Sequence, residues 1–296
     1  MLHVVHHPDY VVTANGGAHQ FSKYAVVMDI LRDQGNLTEY LPEAMPRAWL
    51  ETAHDADYVH AVLTASVDAT IERRIGFPVT PEVARRSQIS PGGTWLAAKL
   101  ALQHGYAANA AGGSHHALPD TGAGYCVFND LAVAALRLVR EGDVAQILIV
   151  DCDVHQGDGT AVILAGHPQI RTLSVHSEKN FPARKARSTL DVALPDGTGD
   201  VAYLVALDSA LNAMLADMLP SLILYQAGVD VHSEDKLGRL SLSDKGLAAR
   251  DHFIATRARA LGIPIASAMG GGYGDDVVAV AARHAAVMRT CAAAVA

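Results

Sequence analysis

Ile147-Leu148-Ile149-Val150 runs straight into Asp151-Cys152-Asp153-Val154-His155. An unbroken apolar run of branched residues marks a strand covered on both faces, as in parallel sheets. The polar set behind it alternates carboxylate, carboxylate and imidazole with period two. In extended backbone, Asp151, Asp153 and His155 project to one side. Burying two carboxylates together is costly without a cation. Asp and His suit Zn²⁺ or another first-row divalent ion such as Fe²⁺. Three protein ligands leave one position open, the pattern of a catalytic rather than a structural site. Asp153 and His155 supply two, and Asp230, beyond the apolar run Leu222–Gln226, is the best third. Taken singly, Asp158 or Asp230 reads as a helix cap. The Asp-x-Asp-x-His set does not.

Further apolar runs read as strands at His3–His6, Ala107–Ala111, Arg171–His176 and Pro264–Ala268. Between them lie amphipathic helical stretches with legible ends. Thr94 caps a helix to His104, stopped by Gly105. Asp130 caps one ending at Glu141-Gly142, and Ser243 opens one ending by Gly262. Ser22–Gln34, before Gly35, is another. Alternating strands and helices without a linker or repeat predict one α/β domain over residues 1–296, with a mostly parallel sheet.

Each unusual polar cluster follows a strand: Gly112-Gly113-Ser114-His115-His116, Asp151 to His155, Gly228-Val229-Asp230, and Gly270-Gly271-Gly272-Tyr273. Parallel sheets bind ligands at the carboxyl ends of their strands, so the clusters predict one shared site. A tandem His115-His116 on a glycine turn suits acid–base work, because imidazole titrates near neutral pH. A lone buried histidine would be a core residue. Tyr273 is either a packing aromatic or a hydroxyl aimed at an oxyanion. The glycine stretches at 122–124 and 270–272 lack the context of a phosphate loop.

Composition bounds the rest. Half the residues are hydrophobic and 18% are charged, so disorder is excluded for most of the chain. A net charge of −8 argues against nucleic acid as partner. Three cysteines form no disulfide framework, and a reducing, cytoplasmic location is expected. No run reaches the ~20 apolar residues of a membrane span.

Gly112-Gly113-Ser114-His115-His116-Ala117, Gly122 to Asp130, Asp151 to Thr160, Gly228-Val229-Asp230 and Gly271-Gly272-Tyr273, in this order and spacing, resemble the zinc-dependent histone deacetylase family. Gly92-Gly93-Thr94 and Glu234 to Leu240 are similar to its class IV. The resemblance implies the three-layer αβα arginase/deacetylase fold and hydrolysis of N-ε-acyl-lysine amides on a protein or peptide. Class IV further implies long fatty-acyl chains. It implies that Asp153, His155 and Asp230 bind Zn²⁺ and that Asp151 and Asp158 orient His115 and His116. Tyr273 would donate to the substrate carbonyl and the Gly124 carbonyl would accept from the substrate amide. Tyr125, Phe181 and Gly272 would contact the substrate. Asp151, Asp153, His155, Ser174 and Val175 match the family's structural K⁺ site.

Two departures stand out. Ala183-Arg184-Lys185-Ala186-Arg187 replaces the glycine-rich rim common after Phe-Pro, and Lys23 stands where many members carry an arginine beside an internal cavity. Lys23, slimmer than arginine, is expected to leave room there for an alkyl tail. Three other readings compete. A binuclear ureohydrolase needs carboxylates where Gly157 and His232 stand. An acetylpolyamine deacetylase would act on a small acylated amine and place acids at the channel mouth. A non-catalytic acyl-lysine binder would have lost a ligand or the tyrosine.

Overall fold

The computed structural model describes residues 1–12 and 19–296. Its centre is one eight-stranded sheet, parallel at every pairing: β1 Leu2–Val5, β2 Leu37–Tyr40, β3 Tyr106–Asn109, β4 Ile147–Asp151, β5 Ile170–Ser177, β6 Leu190–Leu194, β7 Leu222–Gln226 and β8 Ile265–Ala268. The order is β2-β1-β3-β8-β7-β4-β5-β6. The expected mostly parallel sheet is thus wholly parallel. β3, β8, β7 and β4 are consecutive neighbours and every residue in them is buried. Each of the four polar clusters leaves the carboxyl end of one of these strands, so the sheet order alone brings them together.

The helices are α1 His19–Gln34, α2 Arg47–Leu50, α3 Ala56–Leu63, α4 Ala69–Ile75, α5 Pro81–His104, α6 Asp130–Glu141, α7 Asp158–Leu164, α8 Asp200–Asp217, α9 Asp244–Ala260 and α10 Val277–Val295. They form two layers. One contains α1, α10, α9 and α8, the other α5, α6 and α7 with α2 and α3. Contrary to the expectation that no run is long enough, α10 is long and apolar enough to cross a membrane by length and composition. Here it lies along α1 and α9 and buries Val280, Val287, Met288 and Cys291.

Three helix starts differ from expectation: α1 begins at His19, three residues ahead of Ser22, and α5 and α6 differ in their caps. α5 begins at Pro81 behind the cap Thr80, whose side chain accepts from Val83 N–H, and runs through Pro91 and both glycines. Close packing explains the glycines. A Cβ on Gly92 would stand 2.0 Å from Glu43 O, and one on Gly93 2.0 Å from the Tyr10 hydroxyl. Thr94 is no cap, since its hydroxyl donates to Asp130 Oδ2 at 2.5 Å. α6 is capped by Asn129, which accepts from Ala132 N–H. Asp130 instead accepts from the backbone of Gly113 and Ser114, fixing the turn that leads into the paired histidines.

Candidate active site

Asp153 and His155 follow β4, and Asp230 follows β7 beside it. Their ligand atoms all lie within 4.8 Å of one another, and all three residues are buried. Both carboxylates are anchored by backbone, Asp153 on both oxygens, since its Oδ1 accepts from His155 N–H at 3.0 Å. Asp153 Oδ2 accepts from Gly271 N–H at 2.7 Å and Asp230 Oδ1 from Val154 N–H at 2.9 Å. The other oxygens converge on His155 Nδ1 at 3.1 and 3.2 Å. Gly271 must be glycine, because a Cβ would stand 1.9 Å from Asp230 Oδ2. Burial disfavours a charged ring, yet hydrogen bonds to Asp153 and Asp230 raise His155 to about 10. Burial, then repulsion from Asp153, pushes Asp230 upward. Two buried carboxylates converging on one imidazole atom demand positive charge, and the donor set fits a divalent cation. His232 turns away toward Asp244 at 3.3 Å, so the second ligand set of a binuclear centre is missing among the described residues.

His115 and His116 sit side by side, ring centroids 4.1 Å apart. His115 Nδ1 meets Asp151 Oδ2 and His116 Nδ1 meets Asp158 Oδ1, both at 2.7 Å. The two pairs carry different charge. Burial opposes protonation of His115, but Asp151 and Asp153 overcome it and raise the ring to about 9. Burial and the charge on His115 lower His116 to about 4, with Asp158 offsetting only part. The surroundings thus favour the charged form of His115 and the neutral form of His116.

A channel of about 420 Å³ leads down to these groups, lined by Gly124, Tyr125, His116, His155, Phe181 and Tyr273 among others. Tyr125 and Phe181 are 40% and 45% exposed, so two aromatic walls stand open to solvent. Phe181 packs edge-on to His116 at 4.7 Å and Tyr125 leans on Tyr273 at 5.7 Å. Tyr125 has φ +65°, uncommon for a residue with a side chain, and Gly124 has φ +50°. A Cβ on Gly124 would stand 2.6 Å from His116 Cδ2. Burial, then the charges of Asp153 and Asp230, pushes the Tyr273 phenol well above its usual range, so it stays a proton donor.

Below the channel is a small cavity of about 50 Å³ bounded by Lys23, Tyr24, Arg86, Ser114 and His115. Lys23 does not leave it open for a tail. Its Nζ reaches back to donate to Gly270 O at 3.2 Å and Gly272 O at 3.3 Å. Gly272 is buried and does not line the channel; its carbonyl accepts from Lys23. Asp151 and Ser174 face each other in register on β4 and β5, with Val175 next along the strand. Ser174 Oγ is paired with His176 Nδ1 at 2.9 Å.

Sequence reasoning missed the supporting residues. Asp235 Oδ2 accepts from Tyr273 N–H at 2.6 Å and so sets the tyrosine. Asn180 ties the Phe181 loop to the loop after β7, donating to Leu237 O and accepting from Arg239 N–H. Buried Arg250 donates to the carbonyls of Cys152 and Gly228, behind both metal-binding segments. Gln226 donates to Gly113 O at the histidine turn. For Asp235, Asn180 and Gln226 the signal was position, each within a few residues of a strand end or of a quoted motif; Arg250, in the middle of α9, carried none.

A parallel sheet carrying this site at its carboxyl end defines the class, a hydrolase of the deacetylase kind. The chain belongs to the histone deacetylase domain family, which matches residues 18–289. It is 31% identical to histone deacetylase 2 of Arabidopsis thaliana over 85% of this chain and 68% of that one. It is 27% identical to the acetoin utilization protein AcuC of Bacillus subtilis over 80% of this chain and 68% of that one. An uncharacterized protein of Picosynechococcus is 42% identical over 97% of both chains. The crystal structure of the HDA15 HD domain shares the fold, with a TM-score of 0.83 at 20% identity, over 99% of this chain and 88% of that one.

Proposed function

We propose that this protein hydrolyses the side-chain amide of N-ε-acyl-lysine, with a short acyl group. The observation that carries the reading is the adjacent pair His115–Asp151 and His116–Asp158, each joined at 2.7 Å, beside the carboxylate–imidazole set at the foot of an aromatic channel. A divalent ion held by Asp153, His155 and Asp230, zinc in the family's usual form or Fe²⁺, supplies polarisation of the carbonyl and activation of water. The lysine stem passes between Tyr125 and Phe181. Gly124 O accepts the substrate amide N–H. The Tyr273 hydroxyl donates to the carbonyl oxygen as negative charge develops there. His116 gives its Nδ1–H to Asp158, which leaves Nε2 free to take a proton from the attacking water. The same ring returns that proton to the lysine nitrogen as the C–N bond breaks. Protonated His115 contributes positive charge beside it. K⁺ at Asp151, Asp153, His155, Ser174 and Val175 would stiffen the strand ends beneath.

Cavity size argues for a short acyl group, against the long chain that the class IV likeness suggests. At about 10–15 Å³ per water, some 50 Å³ holds only a few waters' worth of atoms. That suits acetyl and not myristoyl. The test compares kcat/KM for acetyl-, octanoyl- and myristoyl-lysine on one peptide with metal-reconstituted enzyme. Acetyl should lead. A preference for myristoyl removes the size argument, and no release from any acyl-lysine removes the proposal.

A further inference from the structure

The mouth of the channel is cationic. Three basic side chains reach it from three separate segments: Arg74 in the last turn of α4, Lys179 in the loop after β5, and Arg239 in the loop after β7. No Asp or Glu lines the mouth among the described residues. Residues 13–18, outside the description, include no charged type. On a chain of net charge −8, the entrance to the site therefore reverses the sign of the whole.

Most of this charge is uncommitted. The Arg74 and Lys179 side chains are exposed and have no hydrogen-bond or ion-pair partner among the described residues. Arg239 shares its charge with Asp196 at 3.3 Å. Three neighbouring groups are spent locally, and exposed Glu178, next to Lys179 in the chain, does not line the opening. Asp235 accepts backbone N–H groups of Tyr273, Leu237 and Gly238. Lys236 pairs with Asp275. Lys185 turns inward, donating to the carbonyls of Asn180 and Pro182, and so braces the loop that presents Lys179 and Phe181.

We infer that this rim selects acyl-lysines flanked by acidic residues, an inference that rests on the deacylase reading above. The acylated side chain is neutral, so any charge recognised at the mouth belongs to the residues on either side of it. A peptide lying across the opening brings Asp or Glu against Arg74, Lys179 and Arg239. Each exposed ion pair is weak, and two or three together give about tenfold. Such a preference is screened by salt, with a Debye length of about 8 Å at physiological ionic strength. The same rim repels Lys- and Arg-rich segments and the free ammonium groups of an acetylated polyamine.

The experiment uses three peptides of equal length with a central acetyl-lysine flanked by Glu, Ser or Lys, and acetylspermidine as a fourth substrate. Hydrolysis is followed as kcat/KM, and peptide binding separately by fluorescence anisotropy, at low and high salt. The expected order is Glu, then Ser, then Lys, with about tenfold between the first two. The gap should narrow at high salt, and the Arg74→Glu/Lys179→Glu protein should prefer Lys over Glu flanks. Equal rates in the wild type, a Lys-flanked preference, or acetylspermidine outrunning the Ser peptide overturns the inference. Hydrolysis without any order leaves the reaction standing and removes the rim. Tighter binding of the Glu peptide without hydrolysis of any removes the reaction and keeps the rim.

Discussion

His116 Nδ1 lies 2.7 Å from Asp158 Oδ1, the same distance that separates His115 Nδ1 from Asp151 Oδ2, yet their surroundings push the two rings in opposite directions. His115 also faces Asp153, at 3.7 Å from its Nε2, whereas His116 faces its cationic neighbour. Equal hydrogen bonds therefore leave His116 as the proton carrier and His115 as the source of positive charge beside it. Removing the base should cost about 10²–10⁴ in kcat, the usual worth of a positioned proton carrier. His116→Ala should lose that much with metal content unchanged. A His116→Ala protein that keeps near-normal kcat while His115→Ala does not would reverse the assignment.

Tyr273→Phe removes one hydroxyl and leaves the ring against Tyr125. The fold and metal content should be intact. The loss of an oxyanion donor predicts a kcat lower by about 10²–10³, with little change in KM. A correctly loaded Tyr273→Phe enzyme with wild-type kcat takes Tyr273 out of the mechanism.

Gly124→Ala tests the channel. The new methyl would stand 2.6 Å from His116 Cδ2 and 3.2 Å from Phe181 Cε1, at a φ of +50° that disfavours a side chain. Hydrolysis should fall by at least ~10² through misplacement of the catalytic ring. Metal affinity, read by calorimetry, should stay put because Gly124 touches none of the ligands. Full activity in this variant would mean that the acyl-lysine enters elsewhere.

His54 gives a pH-dependent term outside the metal-binding set. Its Nε2 accepts from Asn129 N–H at 2.9 Å, and its Nδ1 lies 2.8 Å from Leu118 O, so the ring must be neutral. Burial, only partly countered by the backbone at Leu118 and Pro119, lowers it to about 4 from 6.5. The unfolded chain then binds the extra proton first. Stability from this group is complete above pH about 6.5 and is lost as pH falls toward 4, amounting to about 3 kcal/mol. Urea unfolding of wild type and His54→Gln across that range should show a shallower acid slope in the variant. Parallel curves would show that His54 does not titrate on unfolding.

What the sequence discloses depends on where each element sits. The six strands read from apolar runs are the inner ones, covered on both faces. The two that escaped, β2 with Thr38 and Glu39 and β6 with Asp191, form the sheet's edges, where burial is incomplete and polar residues are tolerated. Thr94 reads as a cap because local propensity disfavours helix through Pro91-Gly92-Gly93 and ignores what packs there. Tyr10 and Glu43 press so close that only glycine fits, and the helix continues through. The candidate site was legible because its ligands and histidines fall in short contiguous motifs at strand ends. The cationic mouth was not, since Arg74, Lys179 and Arg239 are far apart in the chain and meet only in the fold.

The central claim is that one divalent ion at Asp153, His155 and Asp230 suffices for hydrolysis of an acyl-lysine amide. Titrating metal-free protein with Zn²⁺ or Fe²⁺ while measuring acetate released from an acetyl-lysine peptide tests it most directly. The account predicts that activity rises in proportion to added metal, stops at one equivalent per chain, and is absent at every ratio in Asp230→Ala. Activity that requires a second equivalent, or acetate release that persists in Asp230→Ala, would contradict it.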